Sequence, residues 1–160
     1  MNATAPSGPR PRPRPSPSPR VQAFLDTLGH FESKGRYDVM TGGGRFTDMS
    51  QHPNRKNEDG NTAAGKYQFT KGTWDEFSKP LGIEDFSPKS QDRVAVYLLQ
   101  KAGVIDRLLK GDVAGAVMRA GRRWDALPKN AEGDNILNNG NRQISPILDE
   151  YRKRFDSLRK

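Results

Sequence analysis

Glu32 is the residue whose type and position best suit chemistry. It stands four positions after Leu28 and seven after Leu25, on the edge of a stripe that a helix would turn toward a core. A carboxyl held there is partly desolvated, and desolvation raises its pKa above the reference of roughly 4.3. Held near about 6, a glutamic acid stays protonated at working pH and can act as a general acid. Ser33-Lys34-Gly35 follow directly, so the side chain can border a cleft. A solvated glutamate at a fraying helix end has the same pattern, and on this helix alone that is the commoner arrangement.

A second constellation is Ala63-Ala64-Gly65-Lys66-Tyr67-Gln68-Phe69, followed by Trp74. Gly65 permits close approach of the backbone to a ligand. Tyr67 offers a flat ring and a hydroxyl for a sugar, and Gln68 an amide donor and acceptor. Phe69 and Trp74 continue a helical spacing and are expected in the core. Other groups are weaker. His30 and His52 are the only histidines, and without cysteine a zinc site would need carboxylates to complete it, so structural or solvated roles are expected. Gly42-Gly43-Gly44-Arg45 lacks the Gly-Lys-Ser/Thr ending of a phosphate loop and reads as a turn. Arg119/Arg122/Arg123 and Arg152/Lys153/Arg154 read first as solvated helix faces, with the holding of an acidic wall polymer as a second use.

The elements that must position these groups follow from periodicity and punctuation. Val21, Phe24, Leu25, Leu28 and Phe31 predict an amphipathic helix over 21–33. Tyr37, Val39 and Thr41 alternate with polar positions before the triple glycine, which predicts a small β-hairpin across 37–47. Residues 50–65 are polar and rich in turn formers, a surface loop. A short helix around Thr70–Phe77 should stop at Pro80 and Gly82, and Ser87-Pro88 should open a longer one ending at Gly103. A short helix to Leu109 and one capped by Asp112 precede a last helix expected to start at Ser145-Pro146. No internal repeat is present. The class is α+β.

Composition narrows the function. The chain has 160 residues, room for one ordinary domain. Residues 1–20 hold seven prolines and four arginines with no acid, and are expected to form an extended, disordered tail; 21–160 should form the folded domain. Half of the net charge of +8 lies in that tail. A basic protein is drawn to polyanions, including nucleic acids, anionic lipids and the acidic bacterial envelope. The tail has no aromatic residue for base stacking, which argues against nucleic acid. The absence of cysteine excludes disulfides and thiolate chemistry. No apolar run reaches transmembrane length, and the N-terminus lacks the apolar middle of a secretion signal.

Phe24 to Pro128 resembles the bacteriophage lambda endolysin family, lysozyme-like lytic transglycosylases. The pieces that carry the resemblance are AFLDTLGHFE at 23–32, GRYDVMTGG at 35–43, FTDMSQHP at 46–53, AAGKYQF at 63–69, LGIEDFSPKSQDRVAV at 81–96, and Trp124-Asp125-Ala126-Leu127-Pro128. The resemblance implies a lysozyme-like fold of two lobes, a small β-hairpin lobe and a larger helical one, with the substrate cleft between them. It puts Glu32 at the family's catalytic glutamate and Tyr67 and Gln68 in the motif lining the cleft. Ser33 and Asp38 enter as supporting or substrate-binding positions. The link from Glu32 to Tyr37, four residues, is shorter than the family's, and the tail and the stretch after Pro128 have no counterpart.

The expected reaction is cleavage of the β-1,4 bond between N-acetylmuramic acid and N-acetylglucosamine in peptidoglycan, by transglycosylation to a 1,6-anhydro product. Hydrolysis is the near alternative and needs a second carboxylate, for which Asp38 and Asp48 are the candidates. A basic nucleic-acid-binding protein and a wall-binding module without catalysis are the rivals from other classes. No cofactor or metal is expected. The partner is the glycan strand, with envelope contact through the tail; the protein is expected to be a monomer. Made in the host cytoplasm, it would meet the wall in the periplasm after a partner permeabilises the membrane, or travel on the virion.

Overall fold

The structure, a computed structural model, describes residues 17–136 and 141–159. Among the described residues six α-helices carry the fold: α1 (Pro19–Ser33), α2 (Lys71–Ser78), α3 (Pro88–Lys101), α4 (Val104–Leu109), α5 (Val113–Ala120) and α6 (Ile144–Leu158). A 3-10 turn, Lys79–Leu81, follows α2 and ends at Gly82.

α1 begins two residues earlier than its apolar periodicity predicts. The Ser18 side chain accepts from Val21 N–H, and Pro19 fills the first helical position, where its missing N–H has no intrahelical partner to lose. Arg20, expected in the tail, therefore belongs to the folded body. Its guanidinium donates to Leu108 O at 3.1 Å and lies 5.6 Å from the Phe155 ring centroid. The expected tail otherwise falls on residues 1–16, outside the described residues. At the other end Lys34 turns left-handed and Gly35 N–H reaches back to Gly29 O, closing the helix one residue past Glu32.

The segment after α1 departs from expectation. In place of a hairpin with regular strands, 37–47 forms a turn held by the Val39–Arg45 bridge and the Met40 N–H bond to Gly44 O. Gly42 and Gly43, both at positive φ, make the reversal. Met40 then bridges Ala64, and Ala64 bridges Phe69, so three short stretches are stitched together by isolated bridges. Glycine-rich chain has few side chains to pack, and only Phe46 of this turn enters the core.

The 50–65 loop is also less of a surface loop than its polarity implies. His52 is buried at its start, with Nε2 donating to Phe69 O and Nδ1 accepting from Asn54 N–H. Burial holds its pKa below the ordinary value. Ala63 and Ala64 are buried at its end.

Ser87 and Asp112 cap α3 and α5 as their sequences predict. α6 opens at Ile144, before the Ser-Pro signal, with Gln143 at the cap position; Pro146 falls within the first turn, where a missing N–H is harmless. Tyr67, Phe69, Trp74 and Phe86 form the aromatic centre of the core, in tilted and edge contacts 4.6–5.8 Å apart. α1 packs against α6 and also touches α3 and α4, and its last residue, Ser33, is bonded to the Lys66 carbonyl.

Candidate active site

Glu32 sits in the last turn of α1 and lines a cleft of about 890 Å³. One wall comes from the end of α1 and the turn after it, including Lys34, Arg36, Val39 and Gly42; Ala63, Gln68 and Thr70 join it. Arg123-Trp124-Asp125-Ala126, with Ile136 and Arg142, complete the lining.

The Glu32 carboxyl is held out of water with no cation paired to it at hydrogen-bond distance among the described residues. Ala126 N–H donates to it, yet its Oε1 is shielded from solvent and has no hydrogen-bond partner. Its pKa is pushed from 4.5 up to about 8, first by burial and then by the negative charge of Asp125; the Ala126 bond and the Arg142 charge pull the other way without prevailing. The group is therefore protonated at neutral pH, with its exposed face in a cleft. That is the state a general acid needs.

The wall that faces Glu32 is pinned from behind. Trp124 Nε1 donates to Tyr67 O at 2.8 Å. The Asp125 carbonyl accepts from Asn135 Nδ2 at 3.1 Å and from Arg142 Nε at 2.9 Å. These bonds hold the backbone that presents Ala126 N–H.

The other sequence-predicted residues fall in different places. Gln68 lines the cleft in a left-handed backbone conformation (φ 51°), and its Nε2 donates to Gly65 O and Val39 O. It braces the wall with the nitrogen expected to meet substrate. Ser33 also borders the cleft, but its hydroxyl donates to Gly29 O and Lys66 O, tying the helix end to the 65–68 turn.

Tyr67 is a correction: its ring is fully buried, away from the cleft, and its hydroxyl donates to Asp92 at 2.6 Å. An aromatic ring next to the core gains more from burial than from a wet wall. Gly65 likewise gives close approach to Gln91 and Phe86 of the protein itself. Asp38 is paired with Arg45, 2.5 Å, and Arg36, 3.8 Å, and is not among the residues of the cleft. The Arg45 bond holds its pKa low. Asp48 is exposed and turned onto Ser50. The carboxylate that shares the cleft with Glu32 is Asp125, which lies inside the Trp124–Pro128 motif and to which its sequence context assigns no role. His30 lies 3.9 Å from Glu150 on α6, a structural position.

Beneath the cleft lies a second polar cluster. Lys66, almost fully buried, bonds Asp26 at 2.9 Å and sits 5.1 Å from the Tyr37 and 5.5 Å from the Tyr67 ring centroids. Both tyrosine hydroxyls donate to Asp92. Burial, then the Asp92 charge, raise the pKa of each phenol, so both remain neutral donors.

Comparison with known structures first gives the class. The chain superimposes on bacteriophage lambda lysozyme complexed with a chitohexasaccharide with a TM-score of 0.75 and 31% identity, covering 87% of this chain and 96% of that one. A second structure, lysozyme from bacteriophage lambda, gives 0.71 and 31%, covering 89% and 95%. The fold is lysozyme-like, as the sequence implies.

The family follows from sequence. The Endolysin family model matches residues 22–155. The endolysin of Escherichia phage lambda is 39% identical over 120 residues, 67% of this chain and 76% of that protein. The endolysin of Escherichia phage P2 is 37% identical over 131 residues, covering 68% and 79%. The chain belongs to the endolysin family.

Proposed function

We propose that this endolysin cleaves the β-1,4 bond between N-acetylmuramic acid and N-acetylglucosamine, with Glu32 as the acid and then the base. The observation that carries the reading is a carboxyl kept protonated up to about pH 8 in a cleft wall, with Oε1 unpartnered. Protonated Glu32 donates its proton to the glycosidic oxygen as the C1–O bond breaks and positive charge develops on the muramic ring. The N-acetylglucosamine chain leaves with that proton as a hydroxyl. The muramic 6-hydroxyl oxygen then bonds C1 and returns its own proton to the Glu32 carboxylate. The product is a 1,6-anhydro ring, the enzyme is restored, and no water is consumed.

A hydrolytic route has one observation in its favour: Asp125 lines the same cleft and acts electrostatically on Glu32. A water placed by a second carboxylate would then replace the 6-hydroxyl. Mass spectrometry of digested peptidoglycan separates the two, because the anhydro product is one water lighter. A product with a free reducing end rejects the transglycosylase route.

Delivery to the wall is part of the same reading. The protein acts on the periplasmic side after another component has opened the membrane, and Arg10, Arg12 and Arg14 concentrate it at anionic envelope surfaces. Because α1 begins at Pro19, the test deletes residues 1–16 and leaves the cap intact. Cleavage of soluble muropeptides should persist while action on whole walls falls. Equal loss on both substrates would count against the tail.

A further inference from the structure

The cleft carries a pattern that proton transfer does not use. Lys34 and Arg36 stand on the wall that follows α1, and Arg123 and Arg142 on the wall between α5 and α6. Glu32 lines the same cleft as these cations, and it carries no charge below about pH 8. Asp125 is then the one carboxylate among the lining residues.

The neighbours of Arg36 and Arg123 leave their charge available. Arg36 is 3.8 Å from Asp38, but the shorter bond of that carboxylate, 2.5 Å, goes to Arg45. The Arg123 guanidinium lies 5.3 Å from the centroid of the Phe77 ring, an apolar support that leaves its positive charge in place. Arg142 bonds the carbonyl of Asp125 with Nε. Lys34, Arg36 and Arg123 are exposed at the cleft edge.

Charges of one sign along a cleft with low-dielectric walls focus their field into it, and guanidinium groups match carboxylates in geometry. We infer that this basic cleft selects its glycan by the carboxylates of the attached peptide stems, favouring stem-bearing strands over neutral N-acetylglucosamine polymers. The inference rests on the proposed function, since stems hang from the muramic residues flanking the bond to be cut. Exposed cations in the same cleft as Glu32 would engage stems next to that bond, adding binding energy remote from the reacting atoms.

The test uses the full chain carrying Glu32→Gln, so that binding is measured without turnover. Calorimetry compares chitohexaose, glycan strands with intact stems, and the same strands stripped of stems by an amidase. Stem-bearing strands should bind roughly tenfold tighter than chitohexaose at low salt, the size of about one charge-assisted contact. Stripping leaves the single lactyl carboxylate that the amidase exposes on each muramic residue but takes away the stem carboxylates, and should remove most of that advantage; ionic strength above the physiological range should compress it.

Adding Arg36→Gln and Arg123→Gln should lower the affinity ratio by roughly fivefold. Arg36→Lys with Arg123→Lys should retain most of it, and circular dichroism verifies folding of both. Equal affinity for stem-bearing and stripped strands would overturn the inference, as would a ratio indifferent to salt and to the glutamine pair. Cleavage by the unsubstituted chain is scored separately. Selective binding without any cutting would reject the proposed function and support the selectivity.

Discussion

The cleft at Glu32 and the cluster at Lys66 are two solutions to holding ionisable groups away from water in one small domain. In the cluster every charge has a partner: Lys66 meets Asp26, and Asp92 accepts from both Tyr37 and Tyr67. In the cleft, Glu32 Oε1 has none, and the nearest named carboxylate repels it. A satisfied buried pair rigidifies its surroundings, whereas an unsatisfied carboxyl gives up its charge instead. One arrangement builds a wall and the other stores a proton. Ser33 joins them, because its hydroxyl bonds the Lys66 carbonyl one residue from the acid.

Glu32→Gln breaks the comparison most severely. It keeps the shape and removes the transferable proton, and lytic activity should fall by about 10³-fold, within the usual range for a general acid–base group. Turbidity loss of chloroform-treated Gram-negative cells measures this, with circular dichroism as the folding control. Activity near that of the parent would remove Glu32 from the chemistry.

Lys66→Ala attacks the other region. It strands Asp26 and empties the space against Tyr37 and Tyr67, so unfolding in urea should show a loss of about 3 kcal/mol. The pH dependence of whatever activity remains should stay the same, since Lys66 is not among the groups acting on Glu32.

The pH dependence sharpens the comparison. In the proposed mechanism protonated Glu32 is the active form, so activity should fall as pH rises through about 8. Lys34, Arg36, Arg123 and Arg142 also line the cleft, and of these Arg142 opposes the shift. Asp125→Asn removes the opposing negative charge and should move the alkaline limb of kcat/KM down by roughly half a pH unit. A limb that stays in place would dismiss Asp125 as a partner.

Stability should follow the same proton. Between about 4.5 and about 8 the folded chain holds a proton on Glu32 that the unfolded chain has released, so stability declines as pH rises across that window. Glu32→Gln removes the decline and should raise stability at pH 7.5 by about 1–2 kcal/mol, allowing for the carboxyl's partial exposure, with little gain at pH 4.5. Denaturant melts at the two pH values check it. The smallest effect belongs to Tyr37→Phe, which removes one of the two hydroxyls on Asp92 and should cost about 1 kcal/mol.

Much of the molecule is legible in the chain. Helical spacing locates α1 and puts Glu32 at the edge of the apolar stripe, and the family resemblance is what lifts that residue above an ordinary solvated helix end. Ser87-Pro88 and Asp112 mark their helix starts because capping is decided within four residues. The Ser145-Pro146 signal misplaces α6 by little, since a proline is accepted anywhere in a first turn. Tyr67 is illegible for a different reason. A tyrosine two positions from a core phenylalanine fits a wet wall and a buried hydrogen bond equally well, and Asp92 decides between them from 25 residues away.

The sequence by itself determined the helices, the family resemblance and the candidate acid, because periodicity, capping and the order of short motifs are local properties of the chain. Tertiary structure alone decided what the acid faces: Ala126 N–H, Asp125 and Arg142 come from more than ninety residues further on. The pKa of a buried group is set by the sum of nearby charges and the loss of water around it. Both depend on distances across the fold, which spacing along the chain does not contain.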